Sequence, residues 1–192
     1  MGDWLYLQLT HYTRKLFLQL FGYSGRMATR WLTAEERATW TRLVAVMELL
    51  PAALDAQLRR DAGLTHYDYF VLAMLSEAPD RTLRMTSLAQ LTNATLPRLS
   101  HVVRRLEERD LVERVPCPED KRATNAVLTD VGHALLAEAA PGHVAAVHDY
   151  VVDALSSDQI GHLRDIADAL LGRLDPDGRM TKLYGGDSSP AT

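Results

Sequence analysis

Between Arg81 and Leu106 the chain carries five arginines, Arg81, Arg84, Arg98, Arg104 and Arg105, and not one aspartate or glutamate. A guanidinium is a planar fork of N–H donors that stays charged, so it suits both a phosphate and the paired acceptors on a guanine edge. The whole chain has a formal net charge of −4, which makes this acid-free run a local arrangement. A protein of that overall charge can bind nucleic acid only by gathering cations on one face, because phosphate contacts supply most of the affinity. A pI near 6.0 argues against a histone-like, non-specific binder. Lys121 and Arg122 add two cations further on, and Asp120 stands two residues before Arg122, where it could hold that guanidinium in a fixed pose.

Other reactive residue types point away from catalysis. Cys117 is the lone cysteine, flanked by Pro116 and Pro118. It rules out an internal disulfide framework, fits a reducing, cytoplasmic compartment, and reads as a passive loop thiol. His133, His143, His148 and His162 include no pair four residues apart, so neither a metal site nor a cofactor is expected. The chain has no G-x-S-x-G, glycine-rich phosphate loop, H-E-x-x-H or C-x-x-C, and no enzyme is expected.

The elements that must position the arginines are legible in the spacing. Thr86 to Leu91 reads as a short helix, with Leu88 and Leu91 inward and Ala89 small enough for a close crossing. Thr92-Asn93-Ala94 is a turn, Thr95 stands where a helix would be capped, and Pro97 falls in the first turn, where amide donors have no partner anyway. Leu96, Leu99, Val103 and Leu106 then share one face, while the opposite face centres on His101 and includes Pro97, Arg98, Arg104 and Arg105. Two helices joined by such a turn, the second basic on its outer side, make a helix-turn-helix. Leu111 to Val115 and Asn125 to Leu128 read as two strands around a loop from Pro116 to Thr124, a hairpin placed to act as a wing.

The flanks are helical. Thr33-Ala-Glu-Glu36 has the capping-box pattern, and Trp40, Leu43, Val44, Met47, Pro51, Leu54 and Leu58 follow at helical spacing, with a kink or break expected at Pro51. Thr65 caps a second helix, whose buried side is expected to hold Tyr69, Phe70, Leu72, Ala73 and Leu75. A long helical region starts at Thr129-Asp130 and should kink or break at Pro141-Gly142. Ser156-Ser157-Asp158 caps a last helix with Ile160, Leu163, Ala167, Leu170, Leu171 and Leu174 on one stripe. Residues 1–26 form an apolar segment interrupted by His11, Arg14 and Lys15. That pattern is neither a secretory signal nor a membrane span, and it leaves open an amphipathic docking helix or an extension upstream of Met27. Residues 175–192 are polar, aperiodic and expected to be disordered.

Arg105-Leu-Glu-Glu-Arg-Asp-Leu-Val-Glu-Arg114, Pro118-Glu-Asp-Lys-Arg-Ala123 and Val127-Leu-Thr-Asp-Val-Gly132 resemble the R-L-E-x-x-G-L-V-x-R, P-x-D-x-R-A and V-x-L-T-x-x-G patterns of the MarR family of winged helix-turn-helix regulators. The motifs cover about 81–136, and the order of helices extends the resemblance from roughly 34 to 174. Asp110 stands where the family has glycine, at a left-handed position that Asp tolerates better than most residues.

The resemblance implies a mainly α fold with a small β-hairpin wing. The expected organisation is an N-terminal extension over 1–32, a domain over 33–174, and the tail. Within that domain a DNA-binding lobe would span about 65–129, with dimerisation helices over about 34–60 and 130–174. The implied function is that of a homodimeric transcriptional regulator on a pseudo-palindromic double-stranded operator, a repressor released by a small aromatic or phenolic ligand. By similarity Pro97, Arg98, Ser100, His101 and Arg104 enter the major groove, and Arg122, ion-paired to Asp120, reaches the minor groove. Of these, Arg98 is the expected guanine reader, and Arg104, Arg105 and Lys121 are expected phosphate contacts. Trp40, His66, Tyr67 and Tyr69 would line the ligand pocket, against the alternative that they are core or interface aromatics. A winged helix used only for protein–protein contact is the alternative function, and weak salt dependence would favour it.

Overall fold

The fold is seen in a computed structural model that describes residues 29–118, 120 and 122–180. The first helix, α1, runs Ala34–Ala62. Its start is a capping box, in which the Thr33 hydroxyl accepts from the Glu36 amide at 3.1 Å and the Glu36 carboxylate accepts from the Thr33 amide at 2.8 Å. The chain divides into two compact units, residues 1–43 and 44–192, and α1 contributes to both. In the first unit Trp31, Leu32 and Trp40 are exposed.

Of the kink or break expected at Pro51, the break does not occur, and α1 continues past it. Pro51 lies on the exposed side, where a carbonyl that loses its amide donor can turn to water, and Leu54, Gln57 and Leu58 beyond it are buried. Packing of the second half outweighs the proline. Gly63, at φ 62°, supplies the left-handed residue that ends the helix.

The next helix, α2 (His66–Ser76), begins with a second capping box, between Thr65 and Asp68. Its buried residues are Asp68, Val71, Leu72, Met74 and Leu75. Of the five positions expected on its buried side, Leu72 and Leu75 are fully enclosed, while Tyr69, Phe70 and Ala73 are half-buried and pack against the core. Strand β1 (Thr82–Arg84) follows, then α3 (Met85–Leu91) and α4 (Leu96–Glu107). Strands β2 (Val112–Pro116) and β3 (Thr124–Leu128) form the hairpin. The sheet order is β1-β3-β2, all antiparallel, with Val115 opposite Asn125 and Leu83 opposite Ala126.

The core lies between α2, α3, α4 and this sheet. Leu72, Leu75, Leu88, Leu99, Val103, Leu106 and Ala126 are fully enclosed. The long helix α5 (Asp130–Val147) is capped by the Thr129 hydroxyl, which accepts from the Gly132 amide at 3.0 Å. Of the kink or short break expected at Pro141-Gly142, the break does not occur, and Pro141 also faces outward. The irregularity falls later, in a π-helical turn over His148–Val152. The last helix, α6 (Ser157–Leu174), starts with a capping box between Ser156 and Gln159 and has no buried residue.

Gly132 explains one of the sequence motifs in steric terms. A Cβ there would stand 2.1 Å from the Leu111 carbonyl oxygen and 2.8 Å from Leu128 Cδ1. Only glycine lets the first turn of α5 lie against the base of the wing. The extension over residues 1–28, Lys121 and the tail from 181 onward lie outside the described residues.

Candidate nucleic-acid interface

The tight turn between α3 and α4 is closed by backbone bonds, from the Thr92 amide to the Leu88 carbonyl at 3.0 Å and from Ala94 to Ala89 at 2.8 Å. Asn93 takes the left-handed conformation this requires, at φ 48°. Thr95 occupies the N-cap position but its hydroxyl makes no capping bond, and Pro97 sits in the first turn as expected. On α4, Leu99, Val102, Val103 and Leu106 face the core. Leu96 is 43% exposed, a departure from its expected place on the buried stripe. It stands at the first position of the helix, ahead of the elements that cover the later turns. Pro97, Arg98, His101 and Arg104 are exposed, while Ser100 and Arg105 are half-buried.

Although the run from Arg81 to Leu106 has no acid of its own, folding brings acids to it. Arg81 pairs with Asp130 at 3.0 Å. Arg84 lies 3.9 Å from the Asp120 carboxylate and 3.4 Å from Cys117 Sγ. Arg105 donates to Asp68, which is 2% exposed and at the same time forms the capping box of α2. Arg105, expected as a phosphate contact, thus forms an ion pair tying α4 to α2, with its side chain still 42% exposed. Among the described residues, Arg98 and Arg104 are the two arginines of the run with no carboxylate partner.

Asp120 also differs from expectation. It accepts from the Arg122 backbone amide at 3.1 Å, fixing the loop, but its ion-pair partner is Arg84 rather than the Arg122 guanidinium. Arg122 is exposed and, among the described residues, without a carboxylate partner. With Arg114, Ala123 and Thr124 it faces Met85, Thr86, Leu96 and Ser100 across a cleft between the wing and the helix-turn-helix. Arg114 is in turn held by Glu107 through two guanidinium N–H groups, at 2.9 and 2.6 Å, which keeps that carboxylate below its ordinary pKa. Asp110 has φ 55°, the left-handed conformation expected at the glycine position of the motif, and its carbonyl accepts from Thr129 at 2.6 Å.

Of the four aromatic positions expected to line a ligand pocket, His66, Tyr67 and Tyr69 lie in the second unit. Trp40 lies in the first unit and is exposed. Tyr67 turns toward the helix-turn-helix, with its hydroxyl bonded to Thr92 at 2.9 Å and its ring 4.8 Å from the Arg98 guanidinium carbon. His66 and Tyr69 remain together and are joined by His143 of α5, which spacing alone had not connected to them. His143 lies 4.4 Å from the Tyr69 ring and 6.0 Å from the His66 ring. Burial lowers the pKa of both histidines; the neighbouring His66 lowers that of His143 further, while Asp55 partly offsets the shift at His66. His143 Nδ1 and Gln57 Oε1 are buried without a hydrogen-bond partner. Among the described residues no group of three His, Cys, Asp or Glu side chains could hold a metal ion, and no helix is long and apolar enough to cross a membrane.

A helix-turn-helix followed by a β-hairpin wing that pairs with β1, with cations on its outer helix, defines a winged helix-turn-helix protein. The MarR family matches residues 62–123. Sco3205, a MarR family transcriptional regulator from Streptomyces coelicolor solved in complex with DNA, is 45% identical, with a TM-score of 0.75 over 79% of this chain and 94% of that one. AbsC, a MarR family transcriptional regulator from the same organism, is 36% identical, with a TM-score of 0.72 over 76% of this chain and 98% of that one. The regulator MhqR of Bacillus subtilis (strain 168) is 30% identical over 98 residues, which span 51% of this chain and 66% of MhqR. The chain belongs to the MarR family of transcriptional regulators.

Proposed function

We propose that the protein is a dimeric, sequence-specific DNA-binding regulator, a repressor whose hold on a pseudo-palindromic operator is released by a small molecule. The observation that carries the reading is the distribution of charge after folding. Arg98 and Arg104 on α4 and Arg122 on the wing are left without carboxylate partners among the described residues, while Arg84, Arg105 and Arg114 are paired within the lobe and Arg81 with Asp130 of α5. In this reading the lobe over about 65–129 meets DNA, with Pro97, Arg98, Ser100, His101 and Arg104 in the major groove and Arg122 in the minor groove. Lys121 is a phosphate contact in the same scheme. The DNA complex of Sco3205 supports it at 45% identity.

Self-association is supported by α6, whose apolar Leu163, Ile166, Leu170 and Leu174 are 42–80% exposed. The effector site we propose centres on His66, Tyr69 and His143. The unpaired His143 Nδ1 and Gln57 Oε1 would meet a hydroxyl or similar polar group on an otherwise aromatic ligand.

The test is selection of bound duplexes from a random pool. A palindrome with half-sites about one helical turn apart is expected, with affinity falling steeply as salt rises. Enrichment of no sequence, or binding indifferent to salt, would refute the reading and favour a protein–protein module.

A further inference from the structure

Tyr67 belongs to α2, the helix behind the helix-turn-helix, yet its side chain reaches both parts of the motif. Its hydroxyl is bonded to Thr92 Oγ1 at 2.9 Å, and Thr92, itself buried, donates to the Leu88 carbonyl at 2.7 Å. The ring is therefore pinned to the end of α3. Its face carries the Arg98 guanidinium, 4.8 Å from the centroid, within the range at which a cation is attracted to an aromatic quadrupole.

An exposed arginine at the start of a helix ordinarily samples many rotamers, and ordering it costs side-chain entropy on binding. Stacking removes part of that freedom without consuming any N–H group. Arg98 has no carboxylate partner among the described residues, so its N–H edge stays available for the O6 and N7 acceptors of a guanine. A salt bridge would have oriented the side chain too, but at the cost of those same donors.

We propose that Tyr67 is a specificity-determining positioning residue, which holds the Arg98 guanidinium over its ring so that its N–H donors are presented to one base. The proposal rests on the DNA-reading role of Arg98 given above, and its test separates the two. Duplexes selected from a random pool are titrated with wild-type protein, Arg98→Ala, Tyr67→Leu and Tyr67→Phe at fixed salt, and each base position is varied in turn. Arg98→Ala is expected to abolish the preference for guanine at one position per half-site. Tyr67→Leu is expected to reduce the same preference about three- to fivefold, the scale of an exposed cation–π contact. Tyr67→Phe keeps the ring face and retains most of the preference. The salt dependence of binding is unchanged in Tyr67→Leu, because no phosphate contact is lost. Tyr67→Gln carries the same test should the leucine variant fail to fold.

If Arg98→Ala loses the guanine preference and Tyr67→Leu keeps it, the positioning role is overturned and the reading role survives. A phenylalanine variant as impaired as leucine overturns it as well, by assigning the effect to the hydroxyl. If Arg98→Ala loses no base preference, both roles fall.

Discussion

The winged lobe and the last helix were indistinguishable by periodicity, since α4 and α6 both place leucines three and four residues apart. In α4 the stripe beyond Leu96 meets the core of the lobe, and Leu99, Val103 and Leu106 are wholly enclosed. In α6 none of the 18 residues is buried, and Leu174 is 80% exposed. The lobe completes its core within one chain, whereas α6 presents the same kind of surface with none of the described residues burying it. An apolar stripe therefore predicts burial, but not whether the covering surface belongs to the same molecule.

This contrast can be broken most directly by truncation on each side of it. Leu106→Ala is expected to cost about 2–5 kcal/mol, the range for a large side chain removed from an enclosed core, read as a lower urea midpoint at every protein concentration. Leu170→Ala should leave the dilute protein nearly as stable as wild type while weakening self-association in sedimentation equilibrium. Equal destabilisation of the dilute protein by both would erase the distinction. Gly132→Ala, at the join between the lobe and α5, is expected to cost about 1–3 kcal/mol through overpacking against Leu111, again by urea unfolding. A silent substitution would mean that α5 can slide away from the wing.

Arg122→Ala should weaken operator binding by about 1–3 kcal/mol with no change in the unfolding midpoint, because its guanidinium has no carboxylate partner to lose among the described residues. Unchanged affinity in a gel-shift titration at fixed salt would remove the wing from the interface. The smallest effect is expected from pH. His66 and His143 both have pKa values lowered by burial, so the unfolded chain binds protons more readily than the fold. Their contribution to stability is present above the ordinary histidine pKa and is lost as pH falls through the lowered values. His143→Gln should flatten the slope of urea midpoint against pH below neutrality, and an unaltered slope would deny the pair that role.

Local rules made the helix-turn-helix legible. The two capping boxes at Thr33 and Thr65, the turn at Asn93 and the left-handed Asp110 depend on neighbours a few residues away. Strand β1 escaped notice because three residues inside a basic run show no alternation, and its pairing with β3 joins positions more than forty residues apart. Partner choice was illegible for the same reason. Arg105 meets Asp68 at a separation of 37 residues and Arg81 meets Asp130 at 49, so an acid-free stretch of chain became a mostly neutralised stretch of surface. At Pro51 and Pro141 the local rule was outweighed, since both rings face outward and the helix continues past them.

Gly132 has a mechanical consequence. With no room for even a methyl group between it and the Leu111 carbonyl, the start of α5 is seated on the base of the wing like a pin in a bearing. From that pin to His143 the helix provides a lever of about 16 Å, at 1.5 Å per residue. A tilt of only a few degrees about that pin would displace the histidine end by about an ångström.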